Sequence, residues 1–261
     1  MKITKEEHEQ LVNNLEFTTH GYQYTIMYIT RIHAQMDFLL GKMIKLSGEL
    51  FSKQEVSETI EAFSVKTICD WEWYAERMIC ECLNQDTTQL AKELDLKLPK
   101  QITIDECTAY LNGLGYFDLK NIGNLVSVGK KVLIPSKNPF LHISKEVKSY
   151  INDFYVFRNF VAHKSNKSKR TLLRVYKKYD QNEFTEVGQF LSQSYDNNKS
   201  IRLQDFSAAF WLAAFNIMEF LYPQSYEWVM QGEKGYSEEK HMRLHYLMHL
   251  SPNQPFGVKG N

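Results

Sequence analysis

Four long segments of the chain place apolar residues three and four positions apart, which is the spacing of an amphipathic helix. They are residues 22–46, 56–83, 143–161 and 205–222. Helices of this length bury their apolar stripes by packing against one another. The sequence therefore predicts a mainly α-helical fold, in which at least four long helices form a bundle around one core.

One departure from helix is expected after the third long segment. Residues 171–179 and 184–187 flank the turn-forming sequence Asp180-Gln181-Asn182 and could pair as a small β-hairpin. No internal repeat, low-complexity tract or clear linker divides the chain. We therefore interpret residues 1–261 as a single domain, with an N-terminal helical extension at about 1–50 and a C-terminal tail at about 224–261.

The charged residues are balanced in number but not in position. The chain has 31 basic and 31 acidic residues, so a general coat for nucleic acid or a membrane-surface role is not expected. One stretch, residues 164–178, is basic and contains no acidic residue. This basic tract consists of Lys164, Lys167, Lys169, Arg170, Arg174, Lys177 and Lys178. Any site for a polyanion should therefore be local.

The cysteines and the N-terminal residues predict the cellular compartment of the protein. Cys69, Cys80, Cys82 and Cys107 form no C-x-x-C pair and lie mostly in helical apolar stretches, as expected for reduced core thiols. Residues 1–7 lack the apolar region of a signal peptide, and no apolar run approaches the length of a membrane span. We expect a cytoplasmic protein with no membrane partner.

The end of the third long helix combines residue types that suit RNA cleavage. One helical face carries Tyr150, Phe154, Phe157 and Val161, and the opposite face carries Asn152, Tyr155, Asn159 and His163. Arg158 lies on the flank, about 140° from His163. Histidine suits proton transfer near neutral pH, arginine suits a phosphate, and Asn159 is placed to orient His163. From the spacing alone the simpler interpretation is favoured, namely a helix-terminal His beside a surface Arg.

The hexapeptide Arg158-Asn159-Phe160-Val161-Ala162-His163 resembles the Arg-x4–6-His motif of the HEPN superfamily. The commonest form of that motif has Asn after the Arg and Ala before the His, as this sequence does. The similar region covers residues 56–222 as a helical pattern, and only the six-residue motif is specific. The resemblance implies a HEPN-like helical bundle.

The resemblance also implies an activity, namely a metal-independent endoribonuclease that uses no cofactor and cleaves RNA through attack of its own 2′-hydroxyl. His163 would be the general acid and base, Arg158 would bind the scissile phosphate, and Asn159 would orient His163. HEPN domains typically act as homodimers with the site at the interface. They are common in toxin–antitoxin and abortive-infection systems, so an antitoxin or regulatory partner is expected.

Several weaker candidates accompany the motif. The basic tract would bind RNA phosphates beside the site through Lys164, Lys167, Lys169, Arg170 and Arg174. Tyr176 and Tyr179 would stack on RNA bases. The alternative interpretation of the tract is a solvated surface without a ligand. Of the acids Asp70, Glu72 and Glu76, Glu76 is chosen as the partner of Arg158.

His241, His245 and His249 share a helical face in a predicted helix at 237–250, but they span two turns and no Cys or carboxylate completes a set. No metal site is therefore predicted. The alternative function is a catalytically inactive HEPN-like module that binds RNA, a nucleotide or a protein partner.

Overall fold

The computed structural model describes residues 4–12, 21–116, 119–194, 201–230 and 243. Within these ranges the chain forms α-helices and no strand, which confirms the mainly α-helical fold. The helices are α1 (Lys5–Val12), α2 (Gly21–Phe38), α3 (Lys53–Gln85), α4 (Thr88–Leu94), α5 (Ile104–Gly113), α6 (Ile122–Val132), α7 (Lys145–His163), α8 (Asn166–Lys177), α9 (Val187–Ser192), α10 (Arg202–Leu221) and α11 (Pro223–Met230). A π-helical turn, Leu39–Ile44, continues α2.

The core is a ring of four helices, α2, α3, α7 and α10. Helices α3 and α10 each pack against both α2 and α7, so the four predicted long segments are the four members of the bundle. Aromatic rings fill the centre: Trp71 is fully buried, and the rings of Tyr28 and Tyr74 stack with their centroids 4.5 Å apart. The segment 1–50, which was expected to be an extension, thus contributes one wall of the bundle through α2.

The shorter helices cover the outside of the bundle unevenly. Helices α5 and α9 pack on α3, α8 packs on α7, and α11 packs on α10. Helix α6 packs on the N-terminal half of α7, where the Ile122 N–H donates to Asn152 Oδ1 at 3.1 Å. The residues from Arg158 to His163 lie in the other half of α7.

The predicted β-hairpin after α7 is wrong, because residues 171–177 belong to α8. A capping box starts this helix: Ser165 Oγ accepts from the Ser168 N–H at 3.1 Å, and Ser168 Oγ accepts from the Ser165 N–H at 3.0 Å. Leu172, Val175 and Tyr176 are buried. Their spacing of three and four residues fits one face of a helix and not the alternation of a strand.

The cysteines are free thiols, and three of the four are buried. Cys80 Sγ on α3 lies 2.7 Å from Cys107 Sγ on α5, while Cys69 is exposed. Burial raises the pKa of Cys82 to about 12. Among the described residues, each helix is too short or too polar to cross a lipid bilayer. The predicted helix at 237–250 lies outside the described residues, apart from residue 243.

Candidate active site on α7

The candidate motif occupies the last part of α7. Ser144 caps the start of the helix through a hydrogen bond from the Val147 N–H at 3.2 Å. His163 is the last helical residue, and Lys164 ends the helix in the left-handed conformation with φ of 41°. The Lys164 N–H donates to the Phe160 carbonyl at 2.8 Å. His163 is therefore exposed at a helix end, as the sequence predicted.

Arg158 is fixed in the groove between α3 and α7. Its Nη2 lies 3.6 Å from Glu72 Oε2, and both side chains are about one quarter exposed, at 27% and 24%. Its Nη1 donates to Asn159 Oδ1 at 3.0 Å. The acid that meets Arg158 is thus Glu72, one helical turn before the predicted Glu76.

Asn159 acts on Arg158 and not on His163. Its amide oxygen is occupied by the Arg158 guanidinium. Within the described part of the chain no hydrogen bond joins Asn159 to His163, although the two residues are one turn apart. Asn159 therefore orients Arg158, and not His163 as the sequence suggested.

Tyr155 does not share the outward face of α7, although the sequence placed it there. Only 2% of the residue is exposed, because α3 packs over this side of the helix. Burial, and after it the negative charge of Glu72, raises the pKa of Tyr155. The outward face is consequently narrower than predicted: near the end of α7, Ala162 and His163 are exposed, and Arg158 and Asn159 are partly exposed.

Arg158 and His163 lie on different sides of α7. Five residues separate them on a continuous helix, which corresponds to about 140° around the axis and about 7.5 Å along it. The two side chains therefore leave α7 in different directions and at different heights.

The basic tract begins next to His163 and forms the exposed face of α8. Lys167, Lys169, Arg170 and Arg174 lie on this helix, away from its buried residues. Lys169 Nζ is 3.8 Å from the centroid of the Phe184 ring. Within the described residues, Lys167, Arg170 and Arg174 form no ion pair, so their charges are open to an anionic ligand.

Lys178 of the tract and the two tyrosines beside it make their contacts within the protein. Lys178 Nζ binds the buried Asp153 at 2.7 Å, and the Tyr179 hydroxyl donates to the same carboxylate at 2.9 Å. Tyr176 is fully buried. The predicted stacking of bases on Tyr176 is therefore wrong, and Tyr179 has its hydroxyl engaged inside the protein.

Lys164 differs from the lysines of α8, because it faces an acidic group of the bundle. Burial raises the pKa of Glu61 on α3, and the positive charge of Lys164 opposes that rise. The Gly188 N–H also donates to Glu61 Oε1, at 3.3 Å. The Lys164 side chain itself is exposed.

Metal ligands are not gathered anywhere in the part of the chain that the structure describes, since no group of three His, Cys, Asp or Glu side chains is suitably placed there. His241, His245 and His249 lie outside the described residues.

Comparison with known proteins gives no relative. No protein-family model matches the chain, and no curated protein and no solved structure is significantly similar to it. The relation to the HEPN superfamily therefore remains a resemblance in one short motif.

Proposed function

We propose that this protein is a metal-independent endoribonuclease of the HEPN type that acts as a homodimer. The observation that carries the proposal is that one helix presents both a fixed Arg158 and an exposed His163. Arg158 is bound by Glu72 and Asn159, and His163 is the last residue of the helix. The exposed cations of α8 begin four residues beyond His163 and supply local attraction for a polyanion.

The proposed reaction is an internal transesterification of RNA. His163 removes the proton from a 2′-hydroxyl, whose oxygen attacks the adjacent phosphorus while the bond to the 5′-oxygen breaks. The imidazolium then supplies a proton to the leaving 5′-oxygen. The products are a 2′,3′-cyclic phosphate and a 5′-hydroxyl end, and the chemistry requires no metal.

Arg158 stabilises the negative charge that builds up on the phosphate oxygens. An arginine has five N–H donors in a planar fork, and the contacts with Asn159 and Glu72 leave the others for the phosphate. Asn159 and Glu72 act as positioning residues because they fix the guanidinium before substrate arrives. The arginine of one protomer and the histidine of its partner would act on the same phosphate.

The test is RNA cleavage by the purified protein in the presence of EDTA. We expect products with 2′,3′-cyclic phosphate ends, and we expect both Arg158→Ala and His163→Ala to abolish them. His142→Ala is the matched control, because His142 precedes α7 and lies at the opposite end of a helix of 19 residues, about 28 Å away. This variant should cleave like the wild type.

A folded wild-type dimer that leaves RNA intact would overturn the enzyme proposal. If that protein still bound RNA, a nucleotide or a protein, the catalytically inactive module would be the correct description.

The biological role proposed with this activity is that of a cytoplasmic toxin or antiviral effector controlled by an antitoxin or another regulatory partner. Controlled expression in a bacterial host tests it. Growth should stop with the wild type and continue with His163→Ala at equal protein levels.

A further inference from the structure

Two neighbouring aromatic rings with an arginine at each end form a row in the groove between α2 and α3. Arg31 Cζ is 5.0 Å from the centroid of the Trp73 ring, and the Tyr24 ring meets Trp73 edge to face with centroids 5.8 Å apart. Arg77 Cζ lies 6.0 Å from the centroid of Tyr24. We call Arg31, Trp73, Tyr24 and Arg77 the Arg–aromatic row.

The first member of the row is held in place by a buried acid. Asp70 is only 8% exposed and accepts hydrogen bonds from Gln35 Nε2 and Lys66 Nζ, both at 2.7 Å. Arg31 Nη1 lies 3.7 Å from the same carboxylate, and 45% of the Arg31 side chain is exposed. The guanidinium is therefore fixed over Trp73 while nearly half of the Arg31 side chain remains accessible to a ligand.

The row lies close to the candidate active site. Glu72 and Trp73 are consecutive on α3 and point about 100° apart. Glu72 faces Arg158 on α7, and Trp73 faces α2. The row is therefore separated from Arg158 by the width of α3, which is about 10 Å.

We propose that the Arg–aromatic row binds the unpaired bases of single-stranded RNA next to the scissile phosphate. This inference rests on the proposed function and adds the form of the substrate to it. Bases stack on aromatic rings and on arginine planes regardless of sequence. Tyr24 and Arg31 are seven residues apart on α2, or about 10 Å, which gives room for about three bases stacked 3.4 Å apart.

A duplex does not fit the row in this way. Its bases are stacked on one another and present only their edges, so the rings of Trp73 and Tyr24 have no base face to meet. The alternative is that the row only ties α2 to α3 through cation–π contacts. The two interpretations differ in one measurable property, since only the first makes RNA affinity depend on the ring of Trp73.

The experiment measures binding by fluorescence anisotropy with the full chain. The probe is a labelled 15-nucleotide RNA carrying 2′-O-methyl groups, which block attack by the 2′-oxygen, used single-stranded and annealed to its complement. We expect Trp73→Ala to weaken binding of the single strand about tenfold and to leave binding of the duplex unchanged. Trp73→Phe should retain most of the affinity, because it keeps a ring.

Two further variants and a stability measurement test whether a loss of RNA affinity is caused by misfolding. Arg31→Gln removes an exposed cation of the row and should weaken single-strand binding. Lys131→Gln is the matched control, since Lys131 Nζ makes a similar contact with the Tyr116 ring, at 5.5 Å, on a different helix. Lys131→Gln should not change the affinity. Thermal unfolding of each variant establishes that it is folded.

Failure of the row and failure of the proposed function give different results. Cleavage by the wild type together with unchanged affinity in Trp73→Ala, Trp73→Phe and Arg31→Gln overturns the row and leaves the enzyme. Weakened single-strand binding in Trp73→Ala with no cleavage by the wild type supports the row and overturns the enzyme. A wild-type protein that binds single strand and duplex equally also overturns the row.

Discussion

Arg158 on α7 and Glu72 on α3 lie 3.6 Å apart across the groove that separates these helices. The contact connects the candidate motif to the packed bundle, because α3 and α7 are neighbours in the ring of four helices. It also offsets part of the positive charge that the proposed reaction needs. In the proposed function Glu72 would therefore position Arg158 and at the same time compete with the phosphate for it.

Replacing Glu72 with glutamine should tighten RNA binding. The substitution removes a negative charge beside Arg158, and two unit charges 4 Å apart interact by about 1 kcal/mol in water and about 4 kcal/mol near a protein surface. After screening by salt, we expect a three- to tenfold lower Kd for the single-stranded 2′-O-methyl RNA. The free energy of unfolding should fall by less than about 1 kcal/mol, as for most ion pairs near a surface.

The matched control for this substitution is Glu76→Gln, on the same helix and one turn further along. Because the ion pair with Arg158 is made by Glu72, the control should change the Kd much less. Equal Kd values for the two variants, or weaker binding by Glu72→Gln, would contradict the role given to Glu72.

The exposed face of α8 should contribute to RNA affinity through charge alone. Lys167→Ala, Arg170→Ala and Arg174→Ala should each weaken binding to all RNA sequences equally. Each should also lower the slope of log K against log salt by about one phosphate contact. Titrations between 50 mM and 200 mM salt measure this slope.

Lys178→Ala provides the comparison for α8, because Lys178 belongs to the same basic tract but binds Asp153 at 2.7 Å. Its removal should leave the salt dependence of RNA binding unchanged. If the three exposed cations behaved like Lys178, the proposed RNA surface on α8 would be wrong.

The sequence predicted the long helices well because their periodicity extends over many turns. It failed for α8, where the basic residues interrupt the apolar ones and Asp180-Gln181-Asn182 resembles a hairpin turn. The signal for a helix was nevertheless present. Leu172, Val175 and Tyr176 have helical spacing, and Ser165 with Ser168 forms a cap.

The sequence correctly placed Arg158 and His163 near the end of a helix, and its errors about their neighbours come from tertiary packing. A single helix suggests one apolar face, but α7 packs against both α3 and α10, so its buried arc is wide enough to include Tyr155. The choice between Glu72 and Glu76 depended on the rotation of α3 relative to α7. No pattern within either helix records that rotation.

Asp86 should make the stability of the fold depend on pH in the acid range. It lies between α3 and α4, where Oδ1 accepts from the Thr88 N–H at 2.9 Å and Oδ2 accepts from Lys137 at 3.2 Å. Hydrogen bonds from the side chain and backbone of Thr88, followed by Lys137, lower the pKa of Asp86 from 3.8 to about 2. Because the folded pKa is the lower one, the stabilisation is complete above about pH 4 and is lost as the pH falls towards 2.

Urea unfolding of the wild type and Asp86→Asn at several pH values between 5 and 2 measures this contribution. The wild type should be more stable at pH 5, and the difference should shrink as the pH falls. Lys137→Ala should have a smaller effect, since the hydrogen bonds from Thr88 remain. A difference that does not change with pH would show that Asp86 does not couple folding to protonation.

The proposed composite site, which takes Arg158 from one protomer and His163 from its partner, predicts complementation between two inactive proteins. In a mixed dimer of Arg158→Ala and His163→Ala, one composite site keeps both Arg158 and His163, and the other lacks both. Random exchange makes half of the dimers mixed, each with one of its two sites intact, so equal amounts should recover roughly one quarter of wild-type activity. Cleavage assays after mixing and subunit exchange measure the recovery.

The control is the double variant Arg158→Ala/His163→Ala mixed with wild type. Its mixed dimers contain no composite site with both residues, so the activity of this mixture should fall below the value expected from dilution of the wild type alone. Activity absent from the first mixture, in protein shown by light scattering to have exchanged subunits, would place both residues of a site in one chain.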